Sequence, residues 1–558
     1  MKHSVQIIQC SSTRCDSCPK QFKLGCQELV SKNQDKAKST ILIEKNRGLF
    51  HIRFSEEPIL TSPPWSVDGW ESIFVGKNSD LFHDMIDMVD IYRVGPYVAL
   101  FFSEQGSYQI RYVQLPVVRT ALELSLLSDL GKDSMNSTNP VPKLRESVSK
   151  QLERVTIEIT NQIRAQIPEI NENTRTRIAE IVAHRTNILG RIFPILIDEM
   201  TEEVYLDGPN APIYFDHQKM GRCSTAYTFD ETEVPRIVTF LRSESNLHLD
   251  RSNPSLKMEL DLLGSVLRLS ASVPPLSADG LNLEIRRARK QPFTIRQLIQ
   301  NNTITEEAAA ILLLAVASRL NITITGEPGT GKTTLLNALD SVTPRWWRKV
   351  YIEDAIESRT LLSHHQVRLQ VDPVDEQHKR MSKSEEIVKC LHRSPDYLIL
   401  GEIQTLEHSK ALFQAIAAGL HSIQTCHSDS AASLVSRWIL GHNIERSNLG
   451  LMDLIVTLER PKPGESIRHV KEIVEIRKGV QNGLLTYLGI NCVYDSISKS
   501  VGSFAEDGSF RTLARSLGIE NHEQSLNSLI STFHNYDENM EELSESLWAY
   551  GHPMKFIV

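Results

Sequence analysis

The stretch Gly326-Glu327-Pro328-Gly329-Thr330-Gly331-Lys332-Thr333-Thr334 satisfies the pattern GxxxxGK[ST]. Its glycines let backbone amides converge on phosphate oxygens, Lys332 has the reach for β- and γ-phosphates, and Thr333 offers a hydroxyl to Mg²⁺. The β-branched run NITIT precedes the loop and TLLNALD follows it, so a strand leads in and a helix presents its N-terminus to the anion. A nucleoside triphosphate, taken as ATP with Mg²⁺, is the expected ligand. Hydrolysis needs carboxylates to orient water and to help hold the metal. VYIEDAIESR ends an apolar strand with Glu353, Asp354 and Glu357, and PDYLILGEIQ ends another with Gly401-Glu402. Strand C-termini line the ligand crevice of an open α/β sheet, so both groups are expected to face the phosphates. Of these, Asp354 joins Thr333 as a candidate Mg²⁺ ligand. His427 closes a third apolar strand in TCHSDS, where an imidazole can hydrogen-bond a γ-phosphate. Many phosphate-loop enzymes end the second acidic strand in aspartate; glycine stands there in this chain.

The elements that carry these groups follow from periodicity. In 558 residues, about three or four domains are expected. Residues 1–30 hold a cysteine cluster, and 31–130 read as short alternating strands of an N-terminal α/β domain. A polar, turn-rich segment at 130–142 precedes a helical connector, 143–190, with a further helix expected at about 188–200. Residues 191–290 form a second small α/β domain, 291–300 a linker, and 301–480 a domain of alternating strands and helices with a parallel sheet covered on both faces. The remainder, 481–558, reads as a mostly helical extension.

Composition narrows the class. The chain is 41% hydrophobic and 23% charged, with 61 Lys and Arg against 69 Asp and Glu and a net charge of −8. Nothing in that balance recommends nucleic acid as the main partner. The longest apolar run, AAAILLLAVA at 308–317, is too short for a bilayer and fits a buried helix. The start, MKHSVQIIQCSSTR, lacks the apolar core of a signal peptide. A cytoplasmic location is expected, peripheral to the membrane through a partner.

Together the four boxes GEPGTGKTT, IEDAIESR, PDYLILGE and TCHSDS resemble the secretion ATPase superfamily of type II and type IV secretion, pilus and archaeal flagellum motors, and more closely its archaeal branch. The likeness covers about 190 to 480 in sequence and 1–190 only in layout. It implies a RecA-like ATPase domain preceded by small α/β domains, the second of them PAS-like. It also implies Glu402 as the catalytic carboxylate, Glu353 and Glu357 as members of the acidic box, and His427 and Asp429 in the histidine box. Arg268 and Arg286 then coincide with a phosphate-contacting pair. A ring of six chains acting on an integral-membrane platform protein is the implied assembly. Two departures stand out: Gln404 where the family has arginine, and Gly419-Leu420-His421-Ser422 where it has Gly-His-Gly-Gly.

Four of the eight cysteines, Cys10, Cys15, Cys18 and Cys26, fall at the N-terminus. Thiolates so close in sequence can converge on zinc or an iron–sulfur cluster, and the spacing does not choose between them or free thiols. The leading function is an ATPase powering secretion or filament assembly. The rivals are a nucleotide-binding scaffold without turnover and a DNA-transfer motor; Gln404 and the altered loop support the first, while the acidic balance counts against the second.

Overall fold

The computed structural model describes the strand segments 4–10, 37–46, 49–55 and 71–76, residues 88–103, 109–136, 147–287, 293–354, 356–372, 382–462, 464–498 and 500–519, and scattered positions from 524 to 555. The chain forms two compact units, Met1–Arg289 and Lys290–Val558.

In the first unit β1 (Ser4–Cys10), β2 (Ala37–Asn46), β3 (Leu49–Ser55) and β4 (Glu71–Gly76) make a four-stranded sheet in that order. A second sheet takes β5 (Met88–Val94), β6 (Tyr97–Ser103), β7 (Ile110–Pro116), β8 (Thr201–Leu206), β9 (Tyr214–His217), β10 (Gly221–Thr225), β11 (Ser255–Leu262), β12 (Ser265–Ser272) and β13 (Asn282–Arg287). Its order is β11-β12-β13-β8-β9-β10-β7-β6-β5. The parallel ladder Cys223↔Ile110 to Thr225↔Tyr112 joins strands expected in two separate domains, 31–130 and 191–290, into one sheet. The helices Val148–Gln166 and Glu172–Thr186 bury the apolar side of their surface in the same unit. His184 lies there between the rings of Tyr97 and Phe193, at centroid distances of 5.7 and 4.2 Å. Burial drives its pKa down to about 4.

The helix expected at about 188–200 is reduced to Phe193–Ile197. A tight turn precedes it: a Cβ at Gly190 would meet the carbonyl oxygens of His184, Arg185 and Asn187 at 2.7 to 2.9 Å. Pro194 then opens the helix, and Asp198 ends it by accepting from the Met200 amide at 2.9 Å.

The second unit is built on a nine-stranded sheet: β14 (Ile322–Gly326), β15 (Lys349–Glu353), β16 (Gln366–Gln370), β17 (Tyr397–Ile403), β18 (Ser422–Cys426), β19 (Leu454–Glu459), β20 (His469–Gln481), β21 (Leu484–Asp495) and β22 (Ser500–Val501). The order is β16-β15-β17-β18-β14-β19-β20-β21-β22, parallel through β19 and antiparallel beyond it. This is a mixed α/β fold with a largely parallel sheet. Every residue of β14, β15 and β18 is buried, as in strands covered on both faces, and the polar side chains within them, such as Lys349 and Gln424, are bonded inside the fold. Helix Glu306–Ala317 is buried at each position from Ala308 on, so the apolar run is core. Among the described residues no helix is long and apolar enough to cross a membrane.

The extension expected to be mostly helical from 481 opens instead with β21. The register Gln481↔Leu484 leaves Asn482-Gly483 as a two-residue turn, with φ of 52° and 78°. Asn-Gly is the pair that tolerates two left-handed residues in succession. Helical structure follows at Ser509–Ser516.

Candidate active site

β14 lies between β18 and β19, and the phosphate loop leaves its C-terminal end. Gly326 has φ of 150°, and a Cβ there would meet the Leu458 carbonyl oxygen at 2.5 Å and Thr330 Oγ1 at 2.7 Å, so a larger residue would force the loop to shift. Gly329 and Gly331 also sit at positive φ, 75° and 92°. The turn is drawn in by Thr330, whose hydroxyl donates to the Glu327 carbonyl at 2.8 Å. Helix Lys332–Ser341 starts directly after it, placing Thr333 and Thr334 in the first turn. Lys332 is buried, and Nζ donates to the carbonyls of Gly326 at 3.0 Å and Glu327 at 2.9 Å and to His427 Nδ1 at 3.0 Å. An ammonium has three protons, one for each of these contacts.

His427 follows β18 and carries the contact onward. With Nδ1 accepting from Lys332, its ring proton is on Nε2, which lies 2.5 Å from Glu402 Oε1. Glu402 sits where the β17–β18 register shifts, between Leu400 and Glu402. A bulge of this kind re-aims a side chain at a strand end. Its other oxygen, Oε2, accepts from Gln404 Nε2 at 2.9 Å. Burial raises the cost of charge on Glu402, but the bonds from His427 and Gln404 and the nearby Lys332 outweigh it and hold the pKa at about 2. The two backbone segments are tied together by Arg437, whose Nη1 donates to the His427 carbonyl and Nη2 to the Gln404 carbonyl, both at 2.7 Å.

The first acidic box is arranged differently. Glu353 is buried, its Oε1 accepting from the amides of Glu357 at 3.0 Å and Ser358 at 2.8 Å and its Oε2 from the Ser358 hydroxyl at 2.5 Å. Burial pushes its pKa up against these donors. Glu353 thus closes the turn that follows β15, while Asn337 on the phosphate-loop helix donates to the Glu357 carbonyl at 3.1 Å. Asp354 Oδ1 pairs with Lys383 Nζ at 2.7 Å, and the same Nζ donates to the Glu402 carbonyl at 2.9 Å. Lys383 therefore links the two acidic boxes.

The structure brings Lys332, His427 and Glu402 into one chain of contacts, with Glu353, Asp354 and Glu357 joined to it through strands and Lys383. Asp429 lies in the turn after β18 and accepts from Ser430 Oγ at 3.2 Å. Arg268 and Arg286 are register partners on β12 and β13 in the first unit, with Arg268 Nε 3.3 Å from Glu259 Oε1. Cys15, Cys18 and Cys26 lie outside the described residues, and Cys10 is described only as the last residue of β1.

Oxygen donors suit a hard cation such as Mg²⁺. Among the described residues no group of three or more His, Cys, Asp or Glu could hold a metal alone. The Thr333 hydroxyl at the loop fits the usual arrangement, in which the nucleotide brings most of the coordination and the protein adds one or two ligands. Asp354, paired with Lys383, is less suited than Thr333.

Sequence reasoning passed over Lys383 and Arg437. Lys383 lies in the polar run MSKSEE, with nothing to distinguish it from a solvated lysine. Arg437 follows the histidine box by ten residues and is placed by a π-helical turn, Arg437–Gly441. Such widened turns are frequent at functional sites but leave no mark in periodicity.

A phosphate loop on the central strand of a parallel sheet, with a carboxylate and an imidazole leading to its lysine, defines a phosphate-loop nucleotide-binding domain. Residues 237–450 match the type II/IV secretion system protein family. An uncharacterized protein of Methanocaldococcus jannaschii is 30% identical over 185 residues, 32% of this chain and 67% of that one. Another from the same organism is 27% identical over 295 residues, 48% of this chain and 40% of its own length. The conjugal transfer protein TrbB of Rhizobium radiobacter is 27% identical over 311 residues, covering 53% of this chain and 89% of TrbB. Among solved structures, the pilus retraction motor PilT with bound ADP aligns over 64% of this chain and 92% of its own, at 16% identity and a TM-score of 0.38. The chain belongs to the type II/IV secretion system protein family. It spans about half the length of two of its M. jannaschii relatives, 40% and 52%.

Proposed function

We propose that this chain hydrolyses ATP and uses the cycle to drive a secretion or filament-assembly machine. The observation that carries the reading is the continuous contact from Lys332 through His427 to Glu402. It links the group that grips phosphate to the group suited to orient water. The lysine is tied back to His427. A bound γ-phosphate draws the Lys332 ammonium away, because its protons cannot serve both partners. His427 Nδ1 is then released, and the His427–Glu402 pair can turn the carboxylate toward the attacking water as its proton acceptor. Attack of the water oxygen on the γ-phosphorus breaks the bond to the β,γ-bridging oxygen, with the proton passing to Glu402. Thr333 would hold Mg²⁺, which would supply positive charge near the leaving phosphate. Glu353 and Lys383 keep the acidic strand ends in register.

The assembly proposed is a homohexameric ring on the cytoplasmic face of a membrane, acting on an integral-membrane platform protein. ATP turnover by wild type beside Glu402→Gln and Lys332→Ala, with molecular mass measured in a slowly hydrolysed ATP analogue, tests the reading. Turnover lost in both variants, with nucleotide binding kept in Glu402→Gln, supports it. A wild type that binds nucleotide without turning it over, even as a ring, overturns it in favour of a scaffold. The conjugal transfer names of several relatives favour a second reading, a motor acting on DNA. Turnover stimulated by DNA in a salt-dependent way would select it.

A further inference from the structure

We propose that Arg460 and Arg468 form a cationic clamp on the polyphosphate of a nucleotide seated in the loop 326–334, an inference that rests on the nucleotide site described above. The argument begins with the sheet. β19 is the parallel neighbour of β14, in the register Gly326↔Leu458, so β19 ends beside the point where the phosphate loop begins. Gly326 lies against the Leu458 backbone, and two residues later the chain reaches Arg460. Its Nη1 is 3.4 Å from where a Cβ at Gly329 would stand.

Arg468 arrives from the other side of the same ladder. Glu459 pairs with His469 in the antiparallel register of β19 and β20, so Arg460 and Arg468 stand opposite each other just past the last pair. Arg468 Cδ lies 3.8 Å from a Cβ position at Gly331. The neck below them is fastened by His469 Nε2 to Glu459 Oε1 at 3.0 Å and Lys471 Nζ to Glu459 Oε2 at 3.2 Å. Arg460 and Arg468, both half-buried, thereby lie beside two of the glycines of the phosphate loop, Arg460 by its guanidinium and Arg468 by its side-chain stem.

The helix N-terminus with its loop amides concentrates an anion at this place. The planar fork of arginine matches phosphate oxygens in pairs, which a lysine does not. The position also separates the roles. β18 and β19 flank β14 on opposite sides, so His427 and Glu402 lie on one side of the loop and the arginines on the other. The clamp therefore acts on phosphates shared by ADP and ATP, away from the attacking water.

The test measures binding of an ADP carrying a fluorescent ribose label, and the rise in thermal midpoint given by inorganic pyrophosphate. Wild type, Lys332→Ala, Arg460→Ala, Arg468→Ala and the double Arg→Lys variant are compared. Each alanine variant is expected to bind ADP about tenfold more weakly, or about 1.4 kcal/mol. The double lysine variant loses less, and the pyrophosphate shift shrinks in the alanine variants while the midpoint without ligand stays put. Alanine variants that bind ADP as wild type does overturn the clamp. If an alanine variant fails to fold, the double lysine variant decides: equal ADP affinity and an equal pyrophosphate shift overturn the clamp, and a severalfold loss supports it. A wild type that binds no ADP refutes the nucleotide site itself, a different failure that Lys332→Ala calibrates.

Discussion

Replacing His427 by alanine should make the protein bind ADP more tightly while it turns over ATP more slowly. The Lys332 ammonium bonds His427 Nδ1 at 3.0 Å and two backbone carbonyls, and a phosphate that takes the lysine competes with these partners, the imidazole among them. A hydrogen bond to a charged group contributes about 1.5–3 kcal/mol net. Water entering the space left by the ring recovers part of that for the variant. The remaining advantage to the ligand is about 1 kcal/mol, or about fivefold in ADP affinity. ADP is the correct probe because it has no γ-phosphate, so any contact between His427 and that group does not enter. Titration calorimetry of wild type and His427→Ala gives the ratio directly. Turnover should fall by about 10²-fold or more, since Glu402 loses the partner that aims Oε1. An unchanged or weaker ADP affinity in the variant refutes the competition for Lys332 and with it the proposed trigger.

Three further outcomes follow from the geometry. Gly326→Ala should keep the fold but weaken nucleotide binding about 10- to 100-fold, since a Cβ would lie 2.5 Å from the Leu458 carbonyl and strain the loop, as equilibrium binding and a thermal melt would show. Lys383→Met should lower stability by about 3 kcal/mol and depress turnover, because Asp354 and the Glu402 carbonyl lose a buried cation; urea unfolding and a steady-state assay check both. Acid should destabilise the first unit. The His184 imidazole has a pKa of about 4 in the fold and about 6.5 when unfolded, so the unfolded chain binds more protons between those values. Stability is full above about pH 6.5 and falls as pH drops toward about 4, by up to about 3 kcal/mol, and His184→Phe should flatten that slope in urea midpoints taken across the window.

Local chemistry made the phosphate loop readable. Glycines at 326, 329 and 331 are demanded by positive φ and close approach, and a β-branched run before them can only be a buried strand. The strand end at Glu353 was equally plain in VYIED. The arrangement around it was not, because the bonds that turn Glu353 inward come from amides, and every residue has an amide. Lys383 and Arg437 were invisible for a related reason: each acts through backbone carbonyls brought close by the sheet order. The nine-stranded sheet of the first unit depends on β7 meeting β10, a pairing between residues 110–112 and 223–225 that no window of periodicity spans. The β20–β21 hairpin is the opposite case. Its signal, Asn482-Gly483 between two alternating runs, stood in the sequence and was passed over in favour of helix.

The tied-back lysine bears on which anions the loop admits. A phosphate-gripping loop with an open ammonium would fill with whatever orthophosphate its surroundings supply. Here an entering anion competes with groups fastened to the same fold, which act at a high effective concentration. Orthophosphate brings a single cluster of charge and nothing else to hold. A nucleotide adds ribose and base, whose contacts supplement the phosphate grip. The contact of Lys332 with His427 thus sets a threshold for entry, one that orthophosphate meets with the least to offer.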